Sequence, residues 1–277
     1  MILKDKTVIV TGGSEGVGAA AARLFAQAGA NLMLVARNRK NLEAIAAELR
    51  DKTRVEIFPM DVSDAGSCVD LLKKTLFEFG RIDVLVNNAG FHARGDVESA
   101  SAEDLARTID VNLRAPIMLT RLALPHIRDA GGGAIINVAS LAGRTPVPGS
   151  AAYSASKFGL RAFTFALAEE IRDSGIKLAV VSPGPIATQF ILADIDTTSD
   201  LTFSQPMSSA EEVGQAILDL CGNNQREQAI PAISGVLTTI TFLMPWLGRA
   251  LRPMLERKGA RVKKELKAEG AGSESGS

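Results

Sequence analysis

Cysteine and histidine are scarce in this chain of 277 residues, two of each, and their placement excludes several chemistries. Cys68 and Cys221 stand far apart and in no CxxC arrangement, so a disulfide framework, a zinc site and a thiol redox pair are not expected. Both read as buried helix cysteines. His92 and His126 have no ligating neighbours in sequence, so no metal is expected and both read as structural, with His92 near the edge of a substrate mouth. Charge of one sign is also missing: 31 basic residues balance 31 acidic ones, which gives no general attraction to nucleic acid. No apolar run precedes the first strand-like segment, so no signal peptide is visible and a reducing, cytoplasmic setting is the expectation. No internal repeat occurs, and no proline- or serine-rich linker interrupts the first six strand-like runs.

What is present is an apolar share of 46% with 22% charged residues, enough for a large core. Short β-branched runs alternate with stretches of helical period, the pattern of βαβ units. Seven such runs stand out: Thr7 to Thr11, Asn31 to Ala36, Arg54 to Met60, Asp83 to Asn87, Ala134 to Ala139, Lys177 to Ser182 and Ala229 to Ile233. Most are apolar throughout, as strands are when helices cover both faces of a sheet. The expected fold is therefore α/β, a doubly wound parallel sheet of seven strands, in one domain spanning 1–233. Beyond it we expect an apolar and basic helical extension over 234–268 and a disordered tail over 269–277.

Between the first strand and its helix lies Thr11-Gly12-Gly13-Ser14-Glu15-Gly16-Val17-Gly18. Backbone N–H groups and a positive helix terminus at such a turn suit a pyrophosphate. Gly12 serves the tight turn, Gly16 the approach of the phosphate and Gly18 the close seating of the helix. After the second strand the chain reads Val35-Ala36-Arg37-Asn38. An acid there would repel a ribose 2′-phosphate, whereas the planar fork of Arg37 can pair with one, which favours NADP(H) over NAD(H). Ser14 can add a hydroxyl to the same phosphate, and Glu15 is an awkward neighbour for it. Farther on, Tyr153 and Lys157 lie four residues apart on one face of a helix. An ammonium beside a phenol lowers its pKa from ~10 and makes it a usable proton shuttle.

The spacing TGxxxGxG, followed by Asn87-Asn88-Ala89-Gly90 and by Tyr153 with Lys157 thirteen residues or more after Ser140, resembles the short-chain dehydrogenase/reductase family over about the first 190 residues. The resemblance implies a Rossmann fold and hydride transfer between a nicotinamide and a carbonyl or alcohol. It implies that Tyr153 gives its proton to the carbonyl oxygen, that Ser140 holds that oxygen, and that Lys157 also holds the nicotinamide ribose. Asn112, in Asp110-Val111-Asn112-Leu113, corresponds to a helix asparagine that holds a water linking Lys157 to solvent; a locally satisfied helix kink is the other reading. Asp61-Val62 match an adenine contact, Asn88, Ala89 and Gly90 a wall on the adenosine side, and Pro183, Gly184, Ile186 and Thr188 a loop that meets the nicotinamide carboxamide. Dimers or tetramers through the helices carrying Asn112 and Tyr153 are implied as well.

The loop over 185–210 carries Phe190, Ile191, Leu192, Ile195, Leu201, Phe203 and Met207, which fits either an apolar substrate or lid residues packing on the domain. Ile230 to Gly248 holds no charge, and Arg249 to Lys267 then holds eight basic residues against two acidic ones. Two readings stand for this tail: a peripheral membrane contact, or a helical cover over the substrate mouth or a subunit interface. The tail and the second strand resemble lipid-ketone reductases of the family, among them those acting on 3-ketodihydrosphingosine. The expected activity is reduction of a hydrophobic ketone by NADPH. An alcohol or steroid dehydrogenase working oxidatively and a non-catalytic NADP(H)-binding regulator are the alternatives.

Overall fold

In the computed structural model, which describes residues 1–192 and 195–274, the chain begins with β1 (Thr7–Thr11), α1 (Gly16–Gln27), β2 (Asn31–Ala36), α2 (Arg39–Leu49), β3 (Val55–Pro59), α3 (Ala65–Phe79) and β4 (Val84–Asn87). Next come α4 (Ala102–Ile109), a π-helical turn over Asp110–Arg114, α5 (Ala115–Asp129), β5 (Gly133–Val138), a 3-10 turn over Leu141–Gly143, α6 (Ala151–Glu170) and β6 (Ile176–Pro183). The short helices α7 (Gln189–Leu192) and α8 (Asp200–Phe203) precede α9 (Ala210–Gly222), β7 (Glu227–Ile230), α10 (Ala232–Leu243) and α11 (Pro245–Glu274). All neighbouring strands run parallel, in the order β3-β2-β1-β4-β5-β6-β7. The order reverses between β1 and β4, so a crevice opens at their carboxyl ends, where ligands of such sheets collect.

The alternation of strand side chains sorts the core into two layers. Val8, Val10, Leu32, Leu34, Val84 and Val86 pack against α1, α2 and α9, whereas Ile9, Met33, Val35, Leu85 and Ile135 pack against α3 and α5. Several helices start on side-chain caps. Asn38 accepts from the Asn41 amide, Asp64 from Ser67 and Ser101 from Asp104. Ser209 and Glu212 form a reciprocal capping box at α9. Gly80 closes α3 in the left-handed conformation. Cys68 and Cys221 are buried and unpaired in α3 and α9, and burial pushes their thiols up to about 11 and about 12.

Two boundaries differ from the sequence reading by more than one residue. The seventh strand is Glu227–Ile230, not Ala229–Ile233. Pro231 has no N–H for a ladder, and Ala232 already starts α10. The expected unstructured stretch from Glu269 is helical as far as Glu274; the remaining residues, 275–277, lie outside the described ones, as do 193 and 194 of the loop over 185–210. The C-terminal extension lies on the domain. At Gly259 a Cβ would sit 1.7 Å from the Asp200 carbonyl oxygen, so α11 crosses α8 in backbone contact. Lys263 donates to the carbonyls of Thr198 (2.7 Å) and Asp196 (3.1 Å), and Lys267 pairs with the Asp196 carboxylate.

Candidate active site

One cavity of about 1860 Å³ runs along the carboxyl end of the sheet. One end is walled by the glycine turn, Arg37, Asp61 and Gly90, its middle by Ser140, Tyr153 and Lys157, and its mouth by α10 and α11. Every catalytic or cofactor-binding candidate from the sequence lines it except Gly18 and Asn112, which stand directly behind the wall.

The glycine turn is held from β4. The Thr11 hydroxyl accepts from the amides of Asn88 (2.9 Å) and Ala89 (3.1 Å), while the Asn88 side chain donates to the Thr11 carbonyl (2.9 Å). Asn88 thus braces the turn as well as lining the cavity. Gly12 and Gly16 have φ of 67° and 51°, and a Cβ on Gly18 would lie 2.0 Å from the Gly12 oxygen; only glycine permits this seating. The N-cap of α1, Glu15, makes no side-chain capping bond, unlike those of α2, α3, α4 and α9, so the first amides of α1 are open to an anion.

Arg37 is exposed on the rim at the end of β2. Asp61 accepts from the amide and hydroxyl of Ser63 (2.9 and 2.6 Å) and pairs with Arg107 at 3.1 Å. Burial pushes its carboxyl up, but the Ser63 bonds and the charges of Arg107 and Arg37 outweigh this and hold it below the usual range. The helix cap after β3 is therefore Asp64, which leaves Asp61 to face the cavity. On the opposite wall Thr188 lies against Gly16, the methyl group 3.3 Å from where a Cβ would stand.

At the centre, Lys157 is buried and donates to the Val138 carbonyl at 2.8 Å. Burial lowers its ammonium to about 8. It lies 5.6 Å from the centre of the Tyr153 ring. The Tyr153 phenol is raised, because burial outweighs both the hydrogen bond with Ser140 and the charge of Arg94. This reverses the direction expected from the Tyr153–Lys157 spacing alone, since desolvation is the larger effect. The Ser140 hydroxyl also accepts from Ala142 and donates to the Pro183 carbonyl at 3.4 Å, which fixes it at the end of β5.

Beneath the centre the polar core is knitted by side chains. Asn87 donates to Asn137 (2.8 Å), which donates to Thr164 (2.8 Å), linking β4, β5 and α6. Asn112 sits on the π-helical turn, where the Ala115 amide reaches back to the Asp110 carbonyl. Its side chain accepts from the Phe91 amide and donates to the Phe91 carbonyl (both 2.8 Å) and to Ser156 (3.1 Å). Ser156 in turn donates to the Tyr153 carbonyl at 2.7 Å. Both N–H groups of Asn112 are thus spent in tying the β4 loop to the tyrosine helix, with no direct bond to Lys157 among the described residues.

His92, which reads from the sequence as structural near the edge of a substrate mouth, lines the cavity. Its ring stacks on Tyr153 at 4.1 Å between centroids and 18° between planes, and it shares a 3.1 Å hydrogen bond with Ser150. Burial first, then the charges of Arg94 and Lys157, lower it to about 3, so it is neutral. Arg94 bridges the mouth, donating to the Phe190 carbonyl at 2.5 Å with its guanidinium 5.4 Å from the Phe190 ring centre. The signal for both was adjacency to Gly90; nothing in their own spacing marks them.

Comparison with known proteins decides the family, because the profile described as short chain dehydrogenase matches residues 6–197. The chain belongs to the short-chain dehydrogenase/reductase family. Among its relatives, the rat dehydrogenase/reductase SDR family member 7B is 31% identical over 272 residues, covering 92% of this chain and 84% of the rat protein. The ketoacyl reductase HetN of Nostoc is 31% identical over 258 residues, covering 92% and 88%. A metagenomic short-chain oxidoreductase solved in complex with NADP superposes with a TM-score of 0.71 at 30% identity, over 83% of this chain and 98% of that one. The seven-stranded parallel sheet is that of this oxidoreductase family. Helices α8 to α11 lie beyond the residues that the profile matches.

Proposed function

We propose that this short-chain dehydrogenase/reductase is an NADPH-dependent reductase that converts a hydrophobic ketone to a secondary alcohol. The observation that carries it is the gathering of Ser140, Tyr153 and Lys157 midway along one cavity, between an anion-ready glycine turn and an apolar mouth. The dinucleotide fits the residues present: left-handed Gly12 and Gly16 leave a cradle without side chains, and α1 offers open amides. Arg37 and Ser14 would hold the 2′-phosphate, Asp61 and Val62 the adenine, Asn88, Ala89 and Gly90 the adenosine side, and Pro183, Gly184, Ile186 and Thr188 the carboxamide end. When bound, the nicotinamide supplies the hydride. Tyr153, kept protonated by its burial, donates the proton to the carbonyl oxygen, and Ser140 holds that oxygen while charge develops on it. Lys157 keeps a positive charge beside the phenol and restores the proton. Asn112 and Ser156 position the tyrosine helix. The NADP complex of the metagenomic relative and the ketoacyl reductase HetN support this reading by similarity.

Fluorescence titration tests it first. NADPH is expected to bind more tightly than NADH, and Arg37→Ala to weaken NADPH by about ten- to a hundredfold, the worth of a charge-assisted bond pair, while NADH is unchanged. Equal affinity for both cofactors would remove the phosphate role of Arg37. Oxidation of NADPH with ketones of rising chain length then reads the substrate class, with turnover expected to grow with length. The reading extends to assembly as a dimer or tetramer: Ala155, Ala162 and Ala166 leave an exposed small-residue surface on α6, and light scattering is expected to give twice or four times the chain mass.

A further inference from the structure

Helix α10 is turned inside out. Its buried face is Ser234, Gly235 and Thr238, with the Thr238 hydroxyl satisfied by the Ser234 carbonyl at 2.8 Å. Its exposed face is Ile233, Val236, Leu237, Ile240 and Leu243, spaced at the three and four residues of one helical stripe. The contrast is large: Ser234 and Thr238 are each 3% exposed, Ile233 67% and Leu243 72%. The helix is anchored in this orientation by Arg144, which donates to Thr239 at 2.8 Å, and by Phe242, whose ring lies 5.4 Å from that of Phe158. The apolar stripe continues through Met244 and Trp246, both exposed, into α11. A water-facing helix does not expose its large apolar residues and bury its hydroxyls, and a contiguous patch of this kind marks a docking surface.

The charge beside it says what docks. From Trp246 the exposed face of α11 proceeds through Arg249, Arg257 and Lys264, while Leu251, Leu255, Gly259 and Leu266 turn inward. Arg249, Arg257 and Lys264 have no acidic partner among the described residues, in a chain whose net charge is zero. An apolar stripe with an interfacial tryptophan and unpaired cations along the next helix is complementary to an anionic lipid surface. Ile233, Leu237 and Met254 are exposed and also line the cavity mouth, so this face holds the opening of the cavity. No described helix is long and apolar enough to cross a membrane.

We propose that the α10–α11 elbow docks this protein on an anionic lipid bilayer, with the cavity mouth facing the lipid. The docking is independent of the reaction assigned above and is read without turnover. The full chain is floated with vesicles of phosphatidylcholine alone and with phosphatidylglycerol added. Wild type is expected to float with the anionic vesicles, less at high salt, and hardly at all with the neutral ones. The triple variant Val236→Asp, Leu243→Asp, Trp246→Ser alters only exposed side chains that do not line the cavity; it is expected to lose at least tenfold in vesicle affinity with unchanged thermal melting. Arg257→Glu with Lys264→Glu is expected to lose the preference for anionic vesicles. Flotation of the triple variant equal to wild type, or no flotation of wild type, overturns the proposal. So does a wild-type dimer that the triple variant splits while neither binds vesicles, which would assign the face to a second copy of this chain.

Discussion

Tyr153→Phe is expected to lower the turnover of ketone by about a thousandfold or more, the scale set by loss of a positioned acid, while NADPH affinity stays within about twofold. The substitution removes only the hydroxyl. The ring stays stacked on His92 at 4.1 Å, and the glycine turn, Arg37 and Lys157 are untouched. Stopped-flow single turnover separates the two quantities. A variant retaining a tenth of the wild-type rate would take the phenol out of the mechanism and favour a dinucleotide-binding regulator. The pH profile carries a second signature. Because burial raises Tyr153, the acid stays protonated through neutrality. His92, at about 3, contributes no limb. The falling limb of kcat/KM for reduction therefore belongs to Lys157, which loses its charge near about 8 in the free enzyme.

Lys157→Met is expected to abolish turnover and to stabilise the cofactor-free fold. Among the described residues the buried ammonium has one hydrogen-bond partner, the Val138 carbonyl, and the drop from 10.5 to about 8 corresponds to about 3 kcal/mol held against folding at neutral pH. The sign follows from proton uptake: between about 8 and 10.5 the unfolded chain binds the proton that the folded chain has lost, so wild-type stability gains as pH rises through that window. The cost is complete below it. Methionine fills the space without a charge, so melting is expected to rise by roughly 5 °C at neutral pH, with the gap from wild type closing toward the upper end of the window. Melting below wild type at neutral pH would show that the ammonium stabilises the fold. Melting above it would show a buried group kept at a cost to folding, as the proposed role of Lys157 requires.

Six of the seven strands were legible because β1 to β6 are runs rich in apolar, β-branched residues, buried on both faces in the inner strands and only partly so in the edge strand β3. The seventh is read two residues late at its start and three at its end, because Glu227-Gln228 begin it without an apolar residue while the apolar run continues past Pro231 into α10. The Glu227 carboxylate is held by Arg161 at 2.9 Å, Arg144 at 2.7 Å and Ser182 at 2.7 Å, partners from distant segments. The centre was legible for a different reason, since the glycine turn and the Tyr153 and Lys157 pair have fixed spacings on single elements. His92, Arg94 and Arg107 were not, because each reaches the site across the fold: a ring on a ring, a guanidinium on Phe190, an ion pair with Asp61. The direction of the phenol's pKa was misread from spacing because burial is a property of the whole cavity. For the tail, composition announced apolar and basic residues but not which of them point outward; in α10 the hydroxyl side is the inner one.

The crossing of α11 over α8 has a mechanical consequence. Thirty residues of helix span roughly 45 Å, and Gly259 sits near the middle of that length in backbone contact with Asp200. The helix is thus seated on the rim of the cavity at its midpoint, and Pro253, which has no N–H to give the helix ladder, lies in the arm toward Trp246. That arm is thereby one backbone hydrogen bond short between the exposed apolar face at Trp246 and the rim contact at Gly259, which is where a long helix bends most readily.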